Sequence, residues 1–240
     1  MCIAKVSRAI RKVLPLKYCG AVIVAAGNAS RMGGIDKVMA ELGGEPMIVR
    51  TVRAFQNSNV IREIVVVTRP DLIGRITELC HSFDKVKAVV AGGADRPESV
   101  QKGLNELSGK VRLAAIHDGA RPLITQAVID RAVRAAHTYS AAAPGVPVKD
   151  TVKLVQGGVV TDTPDRSCLQ AIQTPQVFDR SLLAGALKKA RNEKAPITDD
   201  CSAVERMGMS VRIVEGDERN IKVTTPMDLK IAALLLEELQ

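Results

Sequence analysis

The sequence predicts an α/β fold, a mostly parallel sheet with helices on both faces. Three observations predict it. From residue 20 onward, short β-branched apolar runs bounded by glycine alternate with segments of helical period. The connections between them are short, and repeated strand–helix units joined in this way build a parallel sheet covered on both sides. The chain has 240 residues, 46% hydrophobic and 25% charged, which is ordinary globular composition and enough to bury a core without disulfides or metal. The reading is one domain, residues 19–240, behind a basic extension, residues 1–18.

GAVIVAAG (20–27) is apolar throughout, as a strand buried on both faces must be. PMIVRTVRAFQNS (46–58) has helical period and opens with Pro46, a favoured first helical residue. EIVVVT (63–68) is a strand, residues 71–82 a helix, KAVVAGG (87–93) a strand and RPESVQKGLNEL (96–107) a helix. VRLAAIHDGA (111–120) is a strand running into a loop, and TQAVIDRAVRAAHTY (125–139) is a helix. The rhythm then breaks. VKDTVKLVQGGVVTDTPDR (148–166) holds two alternating runs around Gly157-Gly158, a hairpin signal. With charge on both sides and little to bury, it reads either as an arm (about 148–168) projecting from the sheet or as an ordinary edge hairpin. QAIQTPQVF (170–178) returns to the sheet, and Asp179 caps a helix over 180–191. Thr198-Asp199-Asp200 opens another helix, with acids in the first turn as the helix dipole prefers. VRIVEG (211–216) and NIKVT (220–224) read as short strands, and Thr225-Pro226-Met227-Asp228 starts the last helix.

A net charge of +8 invites a nucleic-acid or membrane reading. Its distribution argues otherwise. Lys5, Arg8, Arg11, Lys12 and Lys17 meet no acid in residues 1–18, leaving 29 bases against 26 acids in the rest. Ile3, Val6, Ile10 and Val13 fall at helical spacing, so the extension reads as a surface-seeking helix or, more simply, as a solvated basic segment. No apolar run approaches the roughly 20 residues of a membrane span, and no secretory signal is present. Five cysteines at wide spacing, without CxxC, and three histidines without ligand spacing speak against a disulfide framework or a zinc site and for a reducing, cytoplasmic setting. Aromatics are 2%, too few for a nucleic-acid stacking platform, so no nucleic-acid partner is expected.

Three loops carry candidate chemistry. AAGNASRMGGIDK (25–37) leaves the first strand with Gly27, Gly33 and Gly34 and the cations Arg31 and Lys37. Glycine lets backbone N–H groups approach phosphate, and the carboxyl ends of parallel strands are where such sheets bind ligands. The loop is neither GxGxxG nor GxxxxGK[ST], which disfavours a dinucleotide dehydrogenase and a P-loop ATPase. GGADRPESV (92–100) offers backbone amides and the Ser99 hydroxyl to a base or ribose, or is a plain capping turn. HDGARP (117–122) offers Asp118 to a metal or hydroxyl and Arg121 to a phosphate, or is an Asp–Arg turn pair. Together at one sheet edge they form what a nucleoside triphosphate with Mg²⁺ requires.

These segments, with VKDTVK, DRSCLQAIQTPQVF, TDDCSAVE and EGDERNIKVTTPMDL in the same order, make the chain resemble the 2-C-methyl-D-erythritol 4-phosphate cytidylyltransferases of the non-mevalonate isoprenoid pathway, over about residues 20–236. The resemblance implies a Rossmann-like three-layer nucleotidyltransferase fold whose protruding β-arm serves dimerisation. It implies cytidylyl transfer from CTP to 2-C-methyl-D-erythritol 4-phosphate, with release of pyrophosphate and with Mg²⁺ or another divalent cation held mainly by the CTP phosphates. Arg31, Lys37 and Lys222 match catalytic positions. Ala25, Ala26, Gly27, Gly93, Arg96, Ser99 and Asp118 match CTP contacts. Asp118, Arg121, Thr151, Lys153, Arg166, Thr198 and Lys222 match contacts to the methylerythritol phosphate, with Thr151, Lys153 and Arg166 reaching from a neighbouring subunit. The chain departs from the pattern in a loop one residue shorter between Arg31 and Lys37, with Asp36 where proline is common, and in Ala94 where many members carry an acid. Ribitol 5-phosphate or another polyol phosphate is the alternative acceptor.

Overall fold

The computed structural model describes Leu16, residues 18–27 and residues 38–238. Most of the basic extension, and the loop with Arg31 and Lys37, lie outside the described residues. Twelve strands and seven helices are found among those described. In chain order they are β1 (Cys19–Ala25), β2 (Glu41–Leu42), β3 (Glu45–Pro46), α1 (Met47–Gln56), β4 (Ile61–Thr68), α2 (Ile73–Leu79), β5 (Val86–Ala91), α3 (Arg96–Glu106), β6 (Leu113–Asp118) and α4 (Gln126–Tyr139). There follow β7 (Ala141–Pro147), β8 (Leu154–Gln156), β9 (Val159–Asp162), β10 (Gln170–Ile172), β11 (Gln176–Asp179), α5 (Arg180–Asn192), α6 (Asp200–Glu205), β12 (Arg212–Glu215) and α7 (Pro226–Glu237).

The main sheet runs β10-β7-β11-β6-β1-β4-β5, with β12 added to β7. Its β6-β1-β4-β5 half is parallel, Ala21 pairing Ala115 on one side and Ile64 on the other. β11 enters antiparallel between β6 and β7. Successive residues of β1 face opposite layers. Ala21, Ile23 and Ala25 pack into a core with Ile48, Val52 and Phe55 of α1 and Ile129 and Val133 of α4. Val22 packs into a second core with Val100 and Leu104 of α3 and Leu183 and Leu187 of α5. This is the predicted three-layer fold. Gly103 lets α3 settle close on the sheet, since a Cβ there would stand 2.3 Å from Val22 Cγ1. No helix among the described residues is long and apolar enough to cross a membrane.

Helix starts follow the sequence signals. Asp179 accepts the Ser181 and Leu182 amides, Asp199 forms a capping box with Ser202, and Thr225 forms one with Asp228. The predicted hairpin is present. β8 and β9 pair with each other and, among the described residues, with no strand of the main sheet. Gly157 (φ 58°) and Gly158 (φ 80°) supply the two left-handed positions of its turn.

Four readings change. Residues 71–82 split into a 3-10 turn over Pro70–Leu72 and the shorter α2. Pro46 ends β3 and caps α1 instead of opening it. Residues 220–224 form no strand; that segment runs beside the loop after β6, tied by the Val223 amide to the Ala120 carbonyl at 2.8 Å. β7, unread in the sequence, is the hub of the antiparallel half, pairing with β10, β11 and β12. AAAPGVP has little intrinsic strand preference, so three neighbouring strands hold it extended where propensity would not.

Candidate active site

A crevice of about 460 Å³ opens at the carboxyl ends of β1, β4, β5 and β6. Of the residues singled out in the sequence, Ala25, Ala26, Gly27, Gly93, Arg96, Ser99, Asp118 and Lys222 line it, together with Thr68 and Arg69. A larger groove of about 730 Å³ between α3 and α5 holds none of the predicted site residues.

The loop after β5 builds one wall. Its amides are satisfied internally: Gly92 donates to Thr68 O (2.8 Å), Gly93 to Ser99 Oγ (3.0 Å) and Ala94 to Glu98 Oε2 (3.0 Å). Ser99 donates in turn to Asp95 O (2.8 Å), and Asp95 caps α3. Ser99, expected to read a ligand, therefore also sets the shape of the loop. Gly92 must be glycine, because a Cβ would lie 2.4 Å from Ala26 Cβ on the opposite loop.

Asp118 ends β6 with its carboxylate among three cations. Lys222 Nζ is 2.9 Å from Oδ2, Arg121 Nε 3.6 Å from Oδ2, and Arg96 Nη2 3.6 Å from Oδ1. Burial pushes this carboxyl up, but Lys222, Arg96 and Arg121 outweigh it and hold its pKa at about 2. Arg96 also reaches Asp200, at 2.8 Å from Nη1 to Oδ2, an ion contact whose angles fall short of a hydrogen bond. Asp200 is fully buried at the start of α6, and desolvation raises its pKa against the pull of Arg96. Arg121 is held below the ordinary guanidinium range by burial, with Asp118 opposing.

Behind this cluster lies a buried polar network the sequence did not reveal. Thr174 Oγ1 accepts the Asp118 amide (3.1 Å) and meets His117 Nδ1 (3.0 Å). The Arg121 carbonyl can only accept, so His117 Nε2 carries a proton and donates to it (3.2 Å); in the neutral ring Nδ1 is then the acceptor, and the Thr174 hydroxyl donates to it. Burial lowers the His117 pKa to about 4, which agrees with that tautomer. Gln176 Oε1 accepts the Asp200 and Cys201 amides, and its Nε2 donates to Asp199 Oδ2 (2.7 Å), fixing α6 against the sheet. The only sequence signal for these residues is a polar side chain beside or within an apolar strand, and that signal does not say what it bonds.

The other predicted residues are placed as follows. Arg121 stands behind Asp118, where its Nη1 donates to Asn220 O (2.7 Å). Thr198 is exposed just before α6, its amide donating to Ser202 Oγ. Thr151, Lys153 and Arg166 are exposed on or beside the hairpin and do not line the crevice of their own chain. Lys153 Nζ donates to Thr163 Oγ1 and Arg166 Nη1 to Lys149 O. Among the described residues no three His, Cys, Asp or Glu side chains gather as metal ligands. Asp118 on the wall of the crevice is nevertheless a carboxylate of the kind Mg²⁺ takes, one or two at a time, with phosphate oxygens and water completing its shell.

A family model described as 2-C-methyl-D-erythritol 4-phosphate cytidylyltransferase matches residues 19–238. The protein of that name from Caldanaerobacter subterraneus subsp. tengcongensis is 45% identical over 227 residues, 91% of this chain and 98% of that one. The Geobacillus kaustophilus protein is also 45% identical, over 219 residues, 90% of this chain and 96% of that one. A crystal structure of 4-diphosphocytidyl-2C-methyl-D-erythritol synthase from Anaerococcus prevotii superposes with a TM-score of 0.84 at 31% identity, covering 92% of this chain and 96% of that one.

Proposed function

The chain belongs to the 2-C-methyl-D-erythritol 4-phosphate cytidylyltransferase family, and on that premise we propose how its crevice moves the cytidylyl group of CTP to 2-C-methyl-D-erythritol 4-phosphate. The base and ribose of CTP lie along Gly93, Arg96 and Ser99. The triphosphate follows Ala25, Ala26 and Gly27 toward Arg31 and Lys37. The acceptor phosphate sits by Asp118, between Arg121 and Lys222, with Thr198 at its polyol end. The observation that carries this reading is Lys222 Nζ at 2.9 Å from a buried Asp118 on the floor of the crevice.

An oxygen of the acceptor phosphate attacks the α-phosphorus, and the bond from that phosphorus to the bridging oxygen breaks with pyrophosphate leaving. The nucleophile is already an anion, so no general base is needed. Asp118, with its pKa at about 2, is too weak a base to serve as one. Its negative charge instead holds Lys222, Arg96 and Arg121 where the two phosphates meet. Those cations, with Arg31 and Lys37, offset the repulsion between two anionic substrates and stabilise the leaving group. Asp118 would be the protein side chain nearest a divalent cation held mainly by the CTP phosphates, and such a cation would supply further charge neutralisation.

The active unit in this reading is a homodimer. Leu154, Val155, Val159 and Val160 on the arm are 51–67% exposed in the single chain, and a partner that covers them would receive Thr151, Lys153 and Arg166 at its acceptor site. The four cysteines among the described residues are free thiols, in keeping with a cytoplasmic location.

The test is pyrophosphate release with CTP, Mg²⁺ and a panel of polyol phosphates. Turnover is expected with 2-C-methyl-D-erythritol 4-phosphate, and kcat/KM for ribitol 5-phosphate should be at least about tenfold lower, the size of one lost polar contact. No pyrophosphate with any acceptor, or a preference for ribitol 5-phosphate, would overturn the reading.

A further inference from the structure

Two of the cations assigned to the acceptor phosphate, Arg121 and Lys222, come from segments far apart in the chain. One residue joins them. Asn220 is fully buried. Its backbone carbonyl accepts from Arg121 Nη1 at 2.7 Å. Its side-chain Nδ2 donates to Thr174 O at 2.9 Å and to Gln173 Oε1 at 3.3 Å. Two residues further on, Lys222 reaches Asp118.

Gln173 completes the clamp. Its Nε2 donates to Asp217 O (2.8 Å) while its Oε1 accepts the Asp217 amide (3.2 Å), so its amide grips the backbone at the start of the turn that ends in Asn220. Residues 217–222 have no regular secondary structure, and these side-chain bonds stand where a strand ladder would otherwise fix the segment. Asn220 Oδ1 is buried without a hydrogen-bond partner. The amide cannot turn to relieve this, because both groups facing Nδ2 are acceptors. A buried orphan oxygen destabilises, and a fold keeps one where something else requires the residue.

We propose that Asn220, seated by Gln173, is a positioning residue that sets Arg121 and Lys222 toward the acceptor phosphate. It touches neither substrate and acts through those two cations. The proposal rests on the function proposed above. Asparagine is needed because aspartate would turn a carboxylate oxygen toward two acceptors, and a shorter side chain would release the 173–174 segment.

The experiment is steady-state kinetics on Asn220→Ala and Gln173→Met beside the unaltered chain, with melting temperature as a folding control. Gln173→Met keeps the length of the buried side chain and removes its bonds to Asp217 without burying a charge, which makes it the second variant if Asn220→Ala folds poorly. The expected result is a rise of about tenfold or more in KM for the methylerythritol phosphate, with KM for CTP within about twofold, since the loop over residues 92–99 is untouched. A double-mutant cycle adds a readout that a purely structural role would not move: Asn220→Ala combined with Lys222→Ala should lose clearly less than the product of the two single losses, the remainder being the share carried by Arg121. Equal rises in both KM values, or losses that multiply fully in the cycle, would overturn the proposal. Absence of turnover by the unaltered chain would instead overturn the functional reading beneath it.

Discussion

The crevice and the arm are built on opposite plans. Around the crevice Arg96, Asp118, Arg121, Asp200 and Lys222 each have a partner of opposite sign, and the polar side chains behind them are buried and hydrogen-bonded. On the arm, Lys153 and Arg166 reach only neighbours on the hairpin or at its base, and the apolar side chains of β8 and β9 lie in solvent. In the dimer proposed above, the two are halves of one shared site. The crevice half has its geometry set in advance, which favours transition-state stabilisation. The arm half would gain its geometry against the partner.

Removing the charge at the centre of the organised half should produce the largest effect. Asp118→Asn leaves Lys222, Arg96 and Arg121 without their common anchor, and kcat/KM should fall about a thousandfold, of the order seen when one preorganised electrostatic group is lost. Steady-state kinetics decides it, and a loss of less than about tenfold would mean that the cations hold their places without the carboxylate. Stability should show the same contrast. His117 has a folded pKa of about 4 against an ordinary 6.5, so the unfolded chain binds a proton first as pH falls. Its contribution is fully present above pH 6.5 and lost between 6.5 and 4, by up to about 3 kcal/mol. Denaturant titrations at pH 7 and 4.5, repeated on His117→Gln, should show a pH slope that flattens in the variant. A slope unchanged by the substitution would free His117 of that role.

The arm predicts a smaller effect of another kind. Arg166→Ala should raise KM for the acceptor by about tenfold, or about 1.4 kcal/mol. Mixed with Lys222→Ala chains, it should regain activity, because roughly a quarter of the sites in randomly re-formed dimers then draw two intact halves. If mixing restores nothing, the arm does not serve its partner. The smallest effect belongs to a pair outside both regions. Arg75 and Glu78 meet at 2.7 Å but are 55% and 70% exposed, so Arg75→Ala should shift stability by less than about 0.5 kcal/mol. A larger change in the denaturant midpoint would show that exposed pairs matter here more than the contrast allows.

The parallel half of the sheet was legible because each strand is a continuous apolar run and each helix has a periodic face or a cap. β7 was not, because alanine, proline and glycine carry no strand signal and the neighbours decide. NIKVT misled in the reverse direction: it has the composition of a strand but carries the clamp of Asn220 and the charge of Lys222, and runs along a loop. At the site, Asp118 stood out at the end of its strand, Arg96 and Lys222 entered through the family resemblance, and the three do converge. Asp200, Thr174, Gln173 and Asn220 did not stand out, because a buried hydrogen bond leaves its trace in a partner tens of residues away. Ser99 was found for its place at the wall of the crevice, yet its hydroxyl also serves the loop that holds it.

The bond from Arg121 to Asn220 spans 99 positions of chain. A ribosome releases the chain from its N-terminus, so β1, β4, β5 and β6 emerge, and can pair, well before Lys222 is made. During that interval Asp118 lacks the lysine that most strongly favours its charge. On the proposed reading, synthesis thus completes the nucleotide wall first and the acceptor corner last. A nascent chain stalled near residue 200 would carry the parallel half of the sheet but neither β12 nor Lys222.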